Sequence, residues 1–241
     1  MVEVRTFALA ERRRTRALAA VLVAVGLAVF LVLLVSVLTH SGVQRLDRPV
    51  EAGFDGRRDA DRSTVMTVLA LVFGPVGMPV IVLVAVVVWV VLARRLWRPL
   101  LLLAEMVVGV GLAQILAPLV RHPRPPVGQM LLGPDHTFSF PSGHVLGMSH
   151  FFFLTAYLLA SRIRRTWVTV LATAVAVAAV GAQVVSRLYL GCHWLTDVSA
   201  SVALSAVIVG AVIVIDMRRT VRVDGEPIRD RRHSALQADG T

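Results

Sequence analysis

The sequence predicts an all-α, polytopic membrane protein: six transmembrane helices, with a cluster of polar motif stretches at the outer membrane face. Three observations carry this. Hydrophobic residues make up 56% of the 241 positions and charged residues only 17%, too few for a soluble domain. Apolar runs of about 18 residues or more recur along the chain, long enough to cross a ~30 Å hydrocarbon core. The polar stretches between runs are of two kinds. One kind is arginine-rich; the other gathers histidine, serine, proline and arginine.

The chain divides into a basic N-terminus (1–16), a membrane domain (17–217) and a polar tail (218–241) expected to be disordered. The N-terminus brings Arg12, Arg13, Arg14 and Arg16 together. Residues 17–38 are continuously apolar, too long for a signal-peptide core, and no small-residue cleavage pattern follows. They read as an uncleaved first span. Residues 40–62 form a polar connection in which five arginines balance five acids. Residues 63–92 would make a helix of roughly 45 Å, longer than the membrane core. Gly74, Pro75, Gly77 and Pro79 break it, giving a lead-in helix over 63–73 and a second span over 76–93. Arg94, Arg95 and Arg98 mark the next loop, and 100–120 is the third span. Glu105 lies near its start, where it either snorkels or pairs with a neighbour. Residues 121–143 are a proline-rich connection. The fourth span, 145–160, can begin at Gly143 and is followed by Arg162, Arg164 and Arg165. Residues 167–185 and 194–215 are the fifth and sixth spans.

All 25 basic residues are arginine and the net charge is +10. The arginines cluster beside apolar runs, which fits membrane topology rather than nucleic-acid binding. In a six-span chain the N-terminus, the 94–98 loop, the 162–165 loop and the 218–222 segment fall on one side. The positive-inside rule makes that side cytoplasmic, so both termini are expected there in a multi-pass plasma-membrane protein. Cys192 is the single cysteine, which excludes an intramolecular disulfide and a cysteine metal cluster.

Three polar stretches then share the outer face: Arg121-His-Pro-Arg-Pro125, Phe138-Ser-Phe-Pro-Ser-Gly-His144 and Ser186-Arg-Leu-Tyr-Leu-Gly-Cys-His-Trp-Leu-Thr-Asp197. His193 and Asp197 lie one helical turn apart on one face. A carboxylate there can accept the Nδ1 proton and leave Nε2 as nucleophile or base. In isolation the pair reads more simply as a helix-start histidine with an acid in the first turn. Ser142 suits an N-cap, and the N–H groups of a helix start favour an anion. Gly143 lets a substrate approach the backbone. Arg124 and Arg187 offer guanidinium forks that match phosphate oxygens, or contact headgroups.

Taken together, Arg124-Pro, Pro141-Ser-Gly-His144 and Ser186-Arg-x5-His193-x3-Asp197, each at a span boundary, resemble the type 2 phosphatidic acid phosphatase (PAP2) superfamily. The resemblance covers about residues 60 to 215, and the second and third motifs match in full. It implies a metal-independent, cofactor-free phosphatase working through a phosphohistidine. By that resemblance His193 is the nucleophile, Asp197 orients it and His144 is the general acid. Arg124, Arg187, Ser142 and Gly143 would bind the phosphoryl oxygens, in place of the magnesium used by other phosphoryl-transfer enzymes.

The family's first motif is Lys-x6-Arg-Pro, and the lysine position here is Ala117. Arg121, one turn further on if the helix continues, is expected to take over part of the phosphate binding. The expected substrate is a lipid phosphate, with polyprenyl diphosphate favoured over phosphatidate and phosphatidylglycerol phosphate. Two other classes stand beside it. One is a degenerate, non-catalytic protein that binds lipid phosphates, motivated by the missing lysine. The other is a metal-dependent hydrolase, which the scarcity of acids on the outer face disfavours.

Overall fold

The structure, a computed structural model, describes residues 5–94 and 96–223. Strand β1 (Arg5–Phe7) leads into α1 (Leu9–Leu38). A 3-10 turn (Gly42–Leu46) and two short helices follow, α2 (Asp47–Asp55) and α3 (Ala60–Val72). Then come α4 (Gly77–Ala93), α5 (Trp97–Val120), α6 (Gly143–Ile163), α7 (Thr166–Tyr189), α8 (Leu195–Thr220) and strand β2 (Val221–Val223).

Helices α1, α5, α6, α7 and α8 are each long and apolar enough to cross a membrane; α3 and α4 together make a sixth, bent by 54°. Chemistry explains the bend. Pro75 has no N–H to continue α3, and α4 restarts with Met78 N–H donating to Gly74 O at 2.9 Å. The expected break at Gly74–Pro75 is therefore what forms, and the span is made by α3 and α4 together rather than by 76–93 alone. Large apolar side chains on the outer faces, such as Val25, Leu83, Val107 and Leu171, are exposed, as lipid contact requires.

α8 is the central post, more than half buried along its apolar stretch. Phe30, Leu33 and Val37 of α1 pack with Ala200, Ala203 and Leu204 of α8 and with Phe140 and Leu146. At one end of the bundle the basic loops meet. Arg98 reaches Ser161 Oγ (3.0 Å) and Asp216 Oδ2 (3.5 Å), Arg164 pairs with Glu11, and Arg219 lies 4.6 Å from the Trp97 ring centre. The three polar motif stretches meet at the other end. Arginine loops and motifs thus separate along the bundle as expected.

Two expectations change. Residues 218–223 are ordered: α8 runs to Thr220, and β2 pairs in parallel with β1, Arg5 opposite Val221. Backbone hydrogen bonds between the two ends of the chain hold what polarity alone marked as tail. The rest of the expected tail, 224–241, lies outside the described residues. α1 starts well before residue 17, because its arginine-rich first turns are helical although polar. Of the two readings of Glu105, pairing with a neighbour is what forms: it is buried, with Oε1 3.1 Å from Nδ1 of an equally buried His150.

Candidate active site

The third motif is held from behind before it can act. α7 ends at Tyr189, and Arg58 Nε donates to its carbonyl at 2.9 Å. Gly191 turns the chain with φ +64°, and a Cβ there would stand 2.2 Å from Gln129 O, so only glycine fits. Asp47 of α2 caps the start of α8, accepting from Thr196 N (2.9 Å) and Thr196 Oγ1 (2.8 Å). Asp197, at the third position of α8, accepts from Trp194 N at 2.8 Å. The loop between α7 and α8 is thereby fixed at both ends.

His193 sits buried in that loop. Its Nδ1 is 3.0 Å from Ser139 O, and Nε2 is 3.2 Å from Arg124 Nη1. A guanidinium only donates and a carbonyl only accepts. The network therefore puts the proton on Nδ1 and the lone pair on Nε2. Asp197 Oδ2 is 3.6 Å from Nδ1, an ion-pair distance rather than a hydrogen bond. The hydrogen bond expected from Asp197 is made by the Ser139 carbonyl instead. Asp197 gives its other oxygen to His122, whose Nδ1 is 2.9 Å from Oδ1.

Arg124 is fully engaged. Nε donates to Thr137 O (3.1 Å), Nη2 to Thr137 Oγ1 (2.9 Å), and Nη1 to Cys192 O (2.7 Å). Nη2 also pairs with Asp135 Oδ2 at 3.0 Å. Arg187 is the opposite case. It is buried at the end of α7, and its Nε and Nη1 find no hydrogen-bond partner. Ser142 occupies the N-cap position of α6, but its buried Oγ bonds nothing, neither capping the helix nor meeting a neighbour. Buried donors left open are costly unless a ligand completes them. Together they leave unsatisfied hydrogen-bonding groups at the His193 end of the bundle.

Residues 98–220 match the model of the PAP2 superfamily, about half of the chain and all three motifs. The chain belongs to the PAP2 superfamily. The fold agrees. A crystal structure of the first transmembrane PAP2-type phosphatidylglycerolphosphate phosphatase from Bacillus subtilis superposes with a TM-score of 0.70. The match covers 80% of this chain and 96% of that one, at 22% sequence identity. No curated protein matches the chain in sequence. The chain is a multi-pass PAP2 membrane phosphatase.

In this PAP2 site His144 stands in the first turn of α6. Its Nε2 would be 3.2 Å from a Cβ added at Gly74, so the α3–α4 bend presses bare backbone against the imidazole. A cavity of about 610 Å³ opens here, walled by Phe73, Met78, Met106 and Val110 with Gly143 and His144. Burial pushes the His193 imidazole down to about 4; Asp197 opposes this, and Arg187 and Arg124 add to it. The His193 ring is neutral at physiological pH.

Of the residues marked in the sequence, His193, Asp197, Arg124, Arg187, Ser142, Gly143 and His144 gather at this end of the bundle. Arg121 does not join them. It is exposed, adopts a left-handed φ of +54° at the C-cap of α5, and turns Nε back to Pro118 O at 3.0 Å. Because α5 ends at Val120, Arg121 does not continue the helical face of Ala117. Four residues went unmarked as site members: His122, Ser139, Asp135 and Thr137. His122 and Ser139 lie inside the quoted motif stretches, but nothing in their spacing reveals which group they face.

Proposed function

We propose that this PAP2 protein dephosphorylates lipid phosphates or diphosphates through a phosphohistidine on His193, with polyprenyl diphosphate its first candidate substrate. The observation that carries this is the buried Arg187 fork with two open N–H donors near a histidine whose unprotonated Nε2 is met only by a long contact from Arg124 Nη1, 3.2 Å, which phosphorus would displace. Nε2 attacks phosphorus and the bond to the leaving oxygen breaks in line. His144 protonates that oxygen, Asp197 faces the charge developing on the His193 ring, and Arg124 and Arg187 with Ser142 and the Gly143 N–H hold the phosphoryl oxygens. Neutral His144 then takes a proton from water, whose oxygen attacks phosphorus and frees inorganic phosphate and His193. The apolar cavity meeting His144 supports a substrate with a hydrocarbon chain. The fold neighbour named above favours phosphatidylglycerol phosphate as a second reading.

The site is proposed to face outward at the plasma membrane, both termini inside, on the positive-inside argument. The mechanism is tested by trapping a ³²P-labelled, acid-labile adduct on wild type and its absence in His193→Ala, with lipid phosphates compared as substrates. Unchanged turnover in His193→Ala overturns it. The orientation is tested in a Cys192→Ser background. A cysteine replacing exposed Leu132 is expected to react with an impermeant thiol reagent on intact cells, and one replacing exposed Ile163 is not. The reverse pattern places the site inside the cell.

A further inference from the structure

His122 is buried against the back of the nucleophile, in a stretch whose recognised role belongs to Arg124. Its Nδ1 is 2.9 Å from Asp197 Oδ1 and 3.2 Å from Ser139 Oγ; its carbonyl accepts Ser139 N–H at 2.9 Å. Its Nε2 is 3.0 Å from Gln44 Nε2, in the 3-10 turn after α1. A side-chain amide nitrogen donates, so Nε2 accepts and the ring carries its proton on Nδ1, pointing at the carboxylate. His122 thus touches both residues that face His193 Nδ1: Asp197 through its carboxylate, and Ser139 through its N–H and hydroxyl.

We propose that His122 is a positioning residue for the phosphoryl-transfer step, part of a chain Gln44–His122–Asp197–His193 that presents the Asp197 carboxylate to the nucleophile. The inference rests on the phosphohistidine reading given above. A carboxylate at the start of a helix can swing about its Cβ–Cγ bond. Here Trp194 N–H holds Oδ2 and His122 holds Oδ1, so Asp197 has one orientation, with Oδ2 3.6 Å from His193 Nδ1. In the resting enzyme His193 is neutral and its proton goes to the Ser139 carbonyl. When Nε2 bonds to phosphorus the ring becomes cationic, and a fixed carboxylate behind it stabilises that charge without reorganising. Without His122, the buried Oδ1 loses its donor and the carboxylate is free to re-aim.

The test compares His122→Ala, His122→Asn, Gln44→Ala and His193→Ala in detergent-purified full-length protein on one lipid phosphate. Asparagine keeps an N–H donor at the place of Nδ1. His122→Ala is expected to lower kcat by about ten- to a hundredfold with KM nearly unchanged, the scale of one hydrogen bond to a charged group. Single-turnover formation of the labelled phosphoenzyme slows in parallel. His122→Asn recovers most of both rates, and Gln44→Ala shows a smaller loss of the same kind. Should His122→Ala not fold, His122→Asn and Gln44→Ala still decide the matter by their kcat. A kcat within twofold of wild type in His122→Ala, or His122→Asn as impaired as His122→Ala, overturns the assignment. So does a loss expressed in KM alone. If His193→Ala is inactive while His122→Ala is normal, only this inference fails. If His193→Ala turns over, the phosphohistidine reading itself fails.

Discussion

Asp135 Oδ2 lies 3.0 Å from Nη2 of Arg124, so an acid of the protein's own occupies the arginine that the first motif assigns to phosphate. The loop fixes this acid in turn. Thr137 N and Oγ1 donate to Asp135 Oδ1 at 3.0 and 2.7 Å. Partial burial raises the Asp135 carboxyl, but Thr137, Arg124 and His193 outweigh it, leaving the group below the usual carboxylate range and ionised at neutral pH. A substrate phosphate approaching Arg124 must compete with it. Asp135→Asn is therefore expected to lower KM about two- to fivefold and to tighten inhibition by inorganic phosphate, since a partly exposed ion pair is worth up to about 1 kcal/mol. If Asp135 instead serves to aim Arg124, KM rises. The two outcomes differ in sign.

The depressed His193 gives a second expectation. In the proposed mechanism its neutral form is the nucleophile, so activity is expected to fall as pH drops through its own value. That value is about 4, against 6.5 for an ordinary histidine, because burial disfavours the imidazolium. Once the substrate's ionisation is corrected for, the acidic limb of kcat/KM is expected near pH 4. Substitutions then move it in opposite directions. Arg124→Gln removes a positive charge that disfavours the imidazolium, so the limb moves to higher pH. Asp197→Asn removes the group that favours it, so the limb moves lower. A limb near 6.5 in all three proteins removes the argument for a buried nucleophile.

The helices and their breaks were legible because lipid leaves few alternatives: an apolar run must be helical, and Gly74 with Pro75 must interrupt it. His193, Arg124 and Arg187 were marked by their spacing, and the structure brings the three to one end of the bundle. What Asp197 bonds was not. The four-residue spacing put it beside His193, while a carbonyl from residue 139 and a ring from residue 122 divided the contacts between them. Those partners come from other segments, and linear spacing carries no record of them. Arg121 failed for a local reason: the expectation needed one more turn of α5, and the left-handed residue at 121 ends the helix. Asp47, read as one acid in a balanced connection, caps α8 from 149 positions away.

Arg187 yields the last expectation, and it concerns stability against function. Its guanidinium is buried with Nε and Nη1 unbonded, so the ligand-free protein holds a charge with incomplete compensation. Replacing such a buried charge by an apolar side chain of similar length removes the desolvation cost, and comparable exchanges of buried ionic groups stabilise by about 1–4 kcal/mol. Arg187→Met is therefore expected to raise the thermal midpoint of the purified protein while lowering kcat/KM by about 10²–10³-fold, as loss of a preorganised donor to the reacting oxygens does. Inorganic phosphate separates this from simple repacking. It binds only the folded site, so it raises the wild-type midpoint in proportion to the logarithm of its concentration above Kd. The Arg187→Met protein lacks the fork and is expected to show no such rise. A variant that melts below wild type makes Arg187 a structural group, and one that keeps the full phosphate response moves the anion site elsewhere.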